Sequence, residues 1–148
     1  MTERSIAHGT FTVERHYPAS PKRVFQAWAD PKIKSKWFGT SPEDTKEFDF
    51  RVGGREYAEG NGFSFDVSYR DIVPDNRIIY TYEMALGGPK ISVSVAAVEL
   101  RPEGEGTHMI VTEHGCFLDG LDNVEQRQKG TEWLMDKLGE ELTRQMAS

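Results

Sequence analysis

The order of parts along this chain leaves few folds open to it. Two short helical patterns come early, a long run of alternating strands joined by turns follows, and one long amphipathic helix closes the chain. A sheet with one apolar face must cover that face, and here the closing helix is the only long element available to do so. A curved antiparallel sheet wrapped around a single helix leaves a hole between the two, and function is sought there.

The local signals are these. Thr10–Tyr17 alternates, with Phe11, Val13 and Tyr17 in one phase and Thr12, Glu14 and His16 in the other, as in a half-buried strand; residues 1–9 read as a frayed lead-in. Ser20 serves as an N-cap and Pro21 as the first helical residue, with Val24, Phe25 and Trp28 on one face. Asp30-Pro31 ends that helix, because the residue before a proline is pushed out of the α region. A second short helix over 31–37 puts Ile33 and Trp37 on one side.

Strands are predicted at Glu47–Gly53 (broken by Gly53-Gly54), Arg55–Glu59, Phe63–Val73, Arg77–Leu86, Ile91–Leu100 and Thr107–Phe117. The clearest is Phe63–Val73, where Phe63, Phe65, Val67 and Tyr69 alternate with Ser64, Asp66, Ser68 and Arg70. The connections are short, which favours an antiparallel meander. The closing helix, about 123–146, starts at Asp122, with Glu125 three residues on in a capping-box pattern. Leu134, Met135, Leu138, Leu142 and Met146 form its apolar stripe, flanked by Trp133. Gly130 and Gly139 lie inside it, and each marks either a close approach or a tolerated weakness. The fold class is α+β: a curved antiparallel sheet around a long C-terminal helix, with two short helices between strands 1 and 2.

Bulk properties narrow the function. The 148 residues fit one domain, 1–148, large enough for a core without disulfides or metals. Formal charge is −6, and the nearest basic cluster is only Lys32, Lys34 and Lys36, so nucleic-acid binding is not expected. One cysteine, Cys116, excludes an intrachain disulfide. No apolar stretch reaches the length of a membrane span and no signal-peptide core follows Met1, so membrane insertion is not expected and the default location is cytoplasmic. No metal spacing, phosphate-cradling glycine loop or GxSxG motif occurs, so no metal or cofactor is expected. His114 and Cys116 sit at i and i+2 on one strand face, which permits a contact but supplies no oxyanion site.

Several segments together resemble a known family. They are Pro18-Ala19-Ser20-Pro21 with Val24-Phe25-x-Ala27-Trp28-x-Asp30-Pro31, Trp37-Phe38-Gly39, and Asp49-x-Arg51-x-Gly53-Gly54. Further along come Tyr69-x-Asp71-Ile72-Val73-Pro74 with Arg77, Ser92-x-Ser94, and Gly106-Thr107 leading to Thr112-Glu113-x-Gly115. Phe117-Leu118-Asp119-Gly120, Gly130-Thr131 and Leu134-x-x-Lys137-Leu138 complete the set. The chain is similar to the activator of heat-shock-protein-90 ATPase homologues, in the SRPBCC or START-like helix-grip superfamily, and looks like its bacterial single-domain branch. The resemblance implies the same strand and helix order and a cavity between sheet and C-terminal helix. The full eukaryotic co-chaperone carries a second, N-terminal domain for which this chain has no room, so a chaperone partner is not the leading expectation.

The cavity wall is expected from Trp28, Trp37, Tyr57, Phe65, Val67, Tyr69, Tyr80, Tyr82, Val93, Val111, Glu113, Phe117, Trp133 and Leu134. A buried Tyr or Trp needs a partner for its polar tip, which a polar ligand or water supplies. Glu113 shares phase with Met109 and Val111; either it faces inward with a raised pKa, or a twist turns it outward or pairs it with Arg51. Asp49 and Arg51 read as a structural ion pair or as turn-fixing groups rather than catalytic ones. The leading expectation is a binding module for a small apolar or aromatic molecule or a lipid, with a homodimer among the arrangements allowed. The second is a cyclase- or hydrolase-type enzyme with Glu113 as base and Tyr80 or Tyr82 as donor. The third is a co-chaperone-like interaction protein.

Overall fold

A computed structural model describes residues 3–147. The chain runs β1 (Ile6–Tyr17), α1 (Pro21–Ala29), α2 (Pro31–Lys34), β2 (Thr45–Phe48), β3 (Arg55–Gly60), β4 (Phe63–Val73), β5 (Arg77–Leu86), β6 (Lys90–Glu103), β7 (Gly106–Leu118) and α3 (Val124–Ala147). The strands form one antiparallel sheet in the order β1-β7-β6-β5-β4-β3-β2. From β2 to β7 it is a meander; β1 crosses back to lie along the whole of β7, from Ile6 opposite Leu118 to Tyr17 opposite Thr107. This is the α+β helix-grip arrangement expected from the order of parts.

Local chemistry sets the helix ends. The Ser20 hydroxyl accepts from the Arg23 N–H, and the Asp30 carboxylate that stops α1 caps α2 through the Lys32 N–H. The cap of α3 is Asn123, not Asp122: its Oδ1 accepts from the Gln126 N–H at 2.9 Å. The pattern N-x-x-Q competes with D-x-x-E one residue earlier, and the later one wins. Asp122 is thereby released for another contact.

Three sequence expectations shift. Ile6–Gly9 is no frayed lead-in but pairs with Gly115–Leu118; Ile6 is exposed and Gly9 lies against Val124, so no alternation signals the strand. The predicted strand 47–53 ends at Phe48, and the chain then turns back through Gly54, where a Cβ would sit 2.1 Å from the Asp49 carbonyl oxygen. The second helix stops at Lys34, with Trp37 on the turn that follows.

The core lies between the inner sheet face and the buried sides of α1 and α3. Phe11, Val13 and Tyr17 of β1, Val67 and Tyr69 of β4, and Val98 and Leu100 of β6 meet Trp28 of α1 and Met135, Leu138 and Leu142 of α3. The stripe of α3 ends at Leu142, since Met146 is exposed. The second half of α3 is pinned to β1: the Tyr17 hydroxyl donates to the Met135 carbonyl at 2.7 Å, and Arg15 pairs with Asp136. Gly139 is a close-approach glycine, because a Cβ there would lie 3.1 Å from the Tyr17 ring.

Lys34 is not part of a surface basic patch. Its ammonium is buried, bonded to Glu56 Oε1 at 2.8 Å, and sits over the Phe38 ring at 4.3 Å. Tyr69 donates to the same carboxylate oxygen at 2.5 Å. The pair fastens α2 to β3 and β4. Removing one partner strands the other charge in the interior, which costs about 3–5 kcal/mol. Lys34→Met is therefore expected to lower unfolding stability by roughly that amount. Lys34→Met with Glu56→Gln, which keeps an acceptor for Tyr69, should recover much of it. Urea denaturation of the three proteins measures this, and equal stability of Lys34→Met and the wild type would contradict the assignment.

Candidate functional site

The first half of α3 stands off the sheet, and a cleft of about 560 Å³ lies beneath it. Phe65, Tyr80 and Tyr82 come from the central strands, Val111 and Glu113 from β7, and Trp28 from α1. Arg127, Gly130, Thr131, Leu134 and Met135 of α3 form the opposite wall. Leu86, Leu121 and Trp133 are exposed at the mouth. The volume lies within the range of roughly 300–1,000 Å³ typical of small-molecule sites.

A hydrogen-bonded network crosses one end of the cleft. Arg127, 9% exposed, donates to the Tyr82 hydroxyl at 2.8 Å, to Ser92 Oγ at 2.7 Å and to Asp122 Oδ2 at 2.6 Å. Tyr82 donates to Glu113 Oε1 at 2.5 Å, and the Thr131 hydroxyl donates to Glu113 Oε2 at 3.2 Å. The Arg127 guanidinium also lies 5.5 Å from the ring centres of both Tyr82 and Phe117. Burial pushes the Glu113 carboxyl above its ordinary value near 4.5, while the Tyr82 hydrogen bond, the Arg127 charge and the Thr131 hydrogen bond pull it back. Burial first, and the Glu113 charge second, push Tyr80 and Tyr82 upward, so both stay protonated donors at neutral pH.

Two buried polar atoms, the Trp28 indole N–H and Ser94 Oγ, have no hydrogen-bond partner among the described residues. An unpaired donor sealed from water costs about 1–3 kcal/mol. Tyr80, a wall residue, makes no hydrogen bond with its hydroxyl among the described residues, although its ring packs against Trp28 and Tyr82.

The expected wall residues divide into three groups. Trp28, Phe65, Tyr80, Tyr82, Val111, Glu113, Trp133 and Leu134 line the cleft. Trp37, Val67, Tyr69 and Phe117 are buried behind it; Trp37 donates to the Ala27 carbonyl, and Phe117 backs Arg127. Tyr57 and Val93 are on the outer face of the sheet and do not reach it. On β3, Glu56 and Ala58 take the inward positions, and Tyr57 bonds Glu59 on the outside. On β6 the polarity of the alternation is inverted: Ser92, Ser94 and Ala96 face in, while Val93 and Val95 are exposed. Small inward residues make room where the helix crosses.

Glu113 faces inward and is not paired with Arg51, which bonds Asp49 at 2.8 Å. Sequence reasoning passed over Arg127, Thr131, Asp122 and Ser92. A signal existed, since Arg127 and Thr131 continue the i, i+4, i+7 spacing of the apolar stripe toward the N-terminus.

Cys116 approaches His8 across the β1–β7 pair, at 3.8 Å, rather than His114, which bonds Thr10. His16 and His108 stack across the same pair with ring centres 4.4 Å apart, and with Glu103 they form the one group among the described residues that could hold a metal ion. It lies on the outer face, away from the cleft; cross-strand register creates it, so no sequence spacing reveals it. No helix among the described residues is long and apolar enough to cross a membrane.

The sequence pattern of the Activator of Hsp90 ATPase homolog 1-like protein family matches residues 18–143. Among solved structures, the chain is similar to Mll3558 protein from Rhizobium loti, at 43% identity and a TM-score of 0.85, over 93% of this chain and 99% of that one. A protein from Rhizobium leguminosarum aligns at 41% identity and a TM-score of 0.87, over 97% and 99%. CV1439 from Chromobacterium violaceum aligns at 27% and 0.72, over 88% and 94%. No curated protein matches.

The raised Glu113 pKa has a signed consequence. A carboxyl more easily protonated when folded contributes stability below its ordinary value near 4.5, and that contribution is lost as pH rises through the higher folded value. Wild type minus Glu113→Gln should therefore become less favourable to the wild type as pH rises from acid to neutral. Urea denaturation at a series of pH values tests this, and a difference that is flat or rises with pH contradicts it.

Proposed function

The chain belongs to the Activator of Hsp90 ATPase homolog 1-like family, and on that premise we propose that it is a binding protein for a small hydrophobic molecule held between the sheet and α3. The observation that carries this reading is the cleft itself. It has an apolar wall of Phe65, Val111, Leu134 and Met135 and a mouth of exposed Leu86, Leu121 and Trp133. Exposed large apolar residues clustered around an opening are what a ligand covers. Burying a ligand there contributes about 25 cal/mol per Å² of apolar area, before the costs of association. The Tyr80 hydroxyl, a wall donor without an acceptor among the described residues, fits a site whose polar partner arrives with the ligand.

The enzymatic reading rests on Glu113, and both of its oxygens are engaged by Tyr82 and Thr131. The carboxyl thus works as part of the wall. A nucleic-acid partner finds no support either, since Lys34 is withdrawn into a buried ion pair.

Gly130 offers the test. It lines the cleft, and a Cβ added there meets nothing within 4 Å. Gly130→Leu should fill the mouth without disturbing the fold, and replacing a helical glycine gains up to about 1 kcal/mol. The neutral dye N-phenyl-1-naphthylamine should bind the wild type with increased emission and raise its melting temperature. Gly130→Leu should keep or raise the unliganded melting temperature and lose the dye signal. Failure of the dye and a broad panel of apolar ligands to bind the wild type would end this reading.

A further inference from the structure

The charges that face the cleft discriminate among hydrophobic ligands. Among the described residues its walls hold three charged side chains: Glu113, Asp122 and Arg127. The one cation is already committed. Its Nη2 is bound to Asp122, its Nη1 to Tyr82, and Tyr82 in turn leads to Glu113. A ligand carboxylate entering this end would have to displace Asp122 from Arg127 or share it, and would sit near a second acidic group. It would also leave water for an apolar cavity with no free counter-charge, which is costly. A fatty acid is thus poorly matched to the site, although its tail would suit the walls.

An unpaired donor in the wall points the other way. Tyr80 lines the cleft and its hydroxyl makes no hydrogen bond among the described residues, although its ring packs against Trp28 and Tyr82. It does not compete with the Arg127 network for a partner. A ligand without polar atoms would leave it without an acceptor, whereas a carbonyl or ether oxygen would supply one.

Resting on the binding reading above, we propose that the cleft selects uncharged ligands bearing a hydrogen-bond acceptor, of the aryl ketone or ester class, and rejects carboxylates. Tyr80 reads the acceptor; Asp122, by occupying Arg127, excludes the anion.

The test uses three naphthalenes of similar size in competition with N-phenyl-1-naphthylamine on the full chain at neutral pH. They are 2-acetonaphthone, 2-naphthoate and 2-ethylnaphthalene. The ketone should displace the dye about tenfold more tightly than either of the others, the worth of one buried hydrogen bond or one excluded charge. Tyr80→Phe, which keeps the ring, should erase much of the ketone's advantage over 2-ethylnaphthalene. Asp122→Asn should strengthen naphthoate binding relative to 2-ethylnaphthalene. Naphthoate binding as tightly as the ketone to the wild type would overturn the proposal, and so would 2-ethylnaphthalene doing so. Dye binding that none of the three displaces overturns it as well, while leaving the binding reading intact. If the dye itself fails to bind, both fall together. The wild-type comparison needs no variant, so a folding defect in either substitution does not shield the proposal.

Discussion

Arg127 holds the first half of α3 away from the sheet. Apolar faces in water collapse onto each other unless something polar keeps them apart, and here the guanidinium spans the gap. It reaches Tyr82 on β5 and Ser92 on β6, with Asp122 closing the circuit just ahead of the helix. Glu113 extends the span to β7 and returns to α3 through Thr131. These groups are satisfied chiefly by one another, so closing the gap would cost hydrogen bonds that no apolar contact restores. The second half of the same helix has no such spacer. There Leu138 and Leu142 pack directly, and Tyr17 bonds the Met135 carbonyl against Gly139. One helix is thus sealed at one end and open at the other.

A second buried ion pair plays the matching part at the far side. Lys34 and Glu56, with Tyr69, anchor α2 to β3 and β4. Buried pairs of this kind contribute little net stability, but breaking one is expensive. They fix where α1 and α2 lie, and therefore where Trp28 stands in the cleft wall. The two polar clusters frame an aromatic layer that includes Trp28, Tyr80, Tyr82 and Phe65, with tilted packing between neighbours.

The sequence made the architecture legible because its strands alternate and its helices carry plain stops. Phe63–Val73 and Arg77–Leu86 coincide with β4 and β5 to the residue. Where the reading slipped, a long-range or competing interaction decided the outcome. Ile6–Gly9 is a strand only because β7 lies beside it, and Asn123 outcompetes Asp122 for the cap. Val93 looked like wall and Ser92 did not, because β6 turns its small residues inward beneath the helix. Glu113 was found by phase, but its partners were not. Arg127 lies on another element, and a charged residue in register with an apolar stripe reads as surface unless the stripe is followed past its last leucine.

Binding in the cleft requires Glu113 to be held inside its wall by Tyr82 and Thr131 rather than standing in water. NMR titration of its carboxyl carbon, with the cleft empty and then filled with 2-acetonaphthone, measures this directly. The expected midpoint lies above 4.5 in the empty protein, because burial outweighs the hydrogen bonds and the Arg127 charge, and rises further when the ligand excludes water. A midpoint at or below 4.5 that does not move on filling would contradict it.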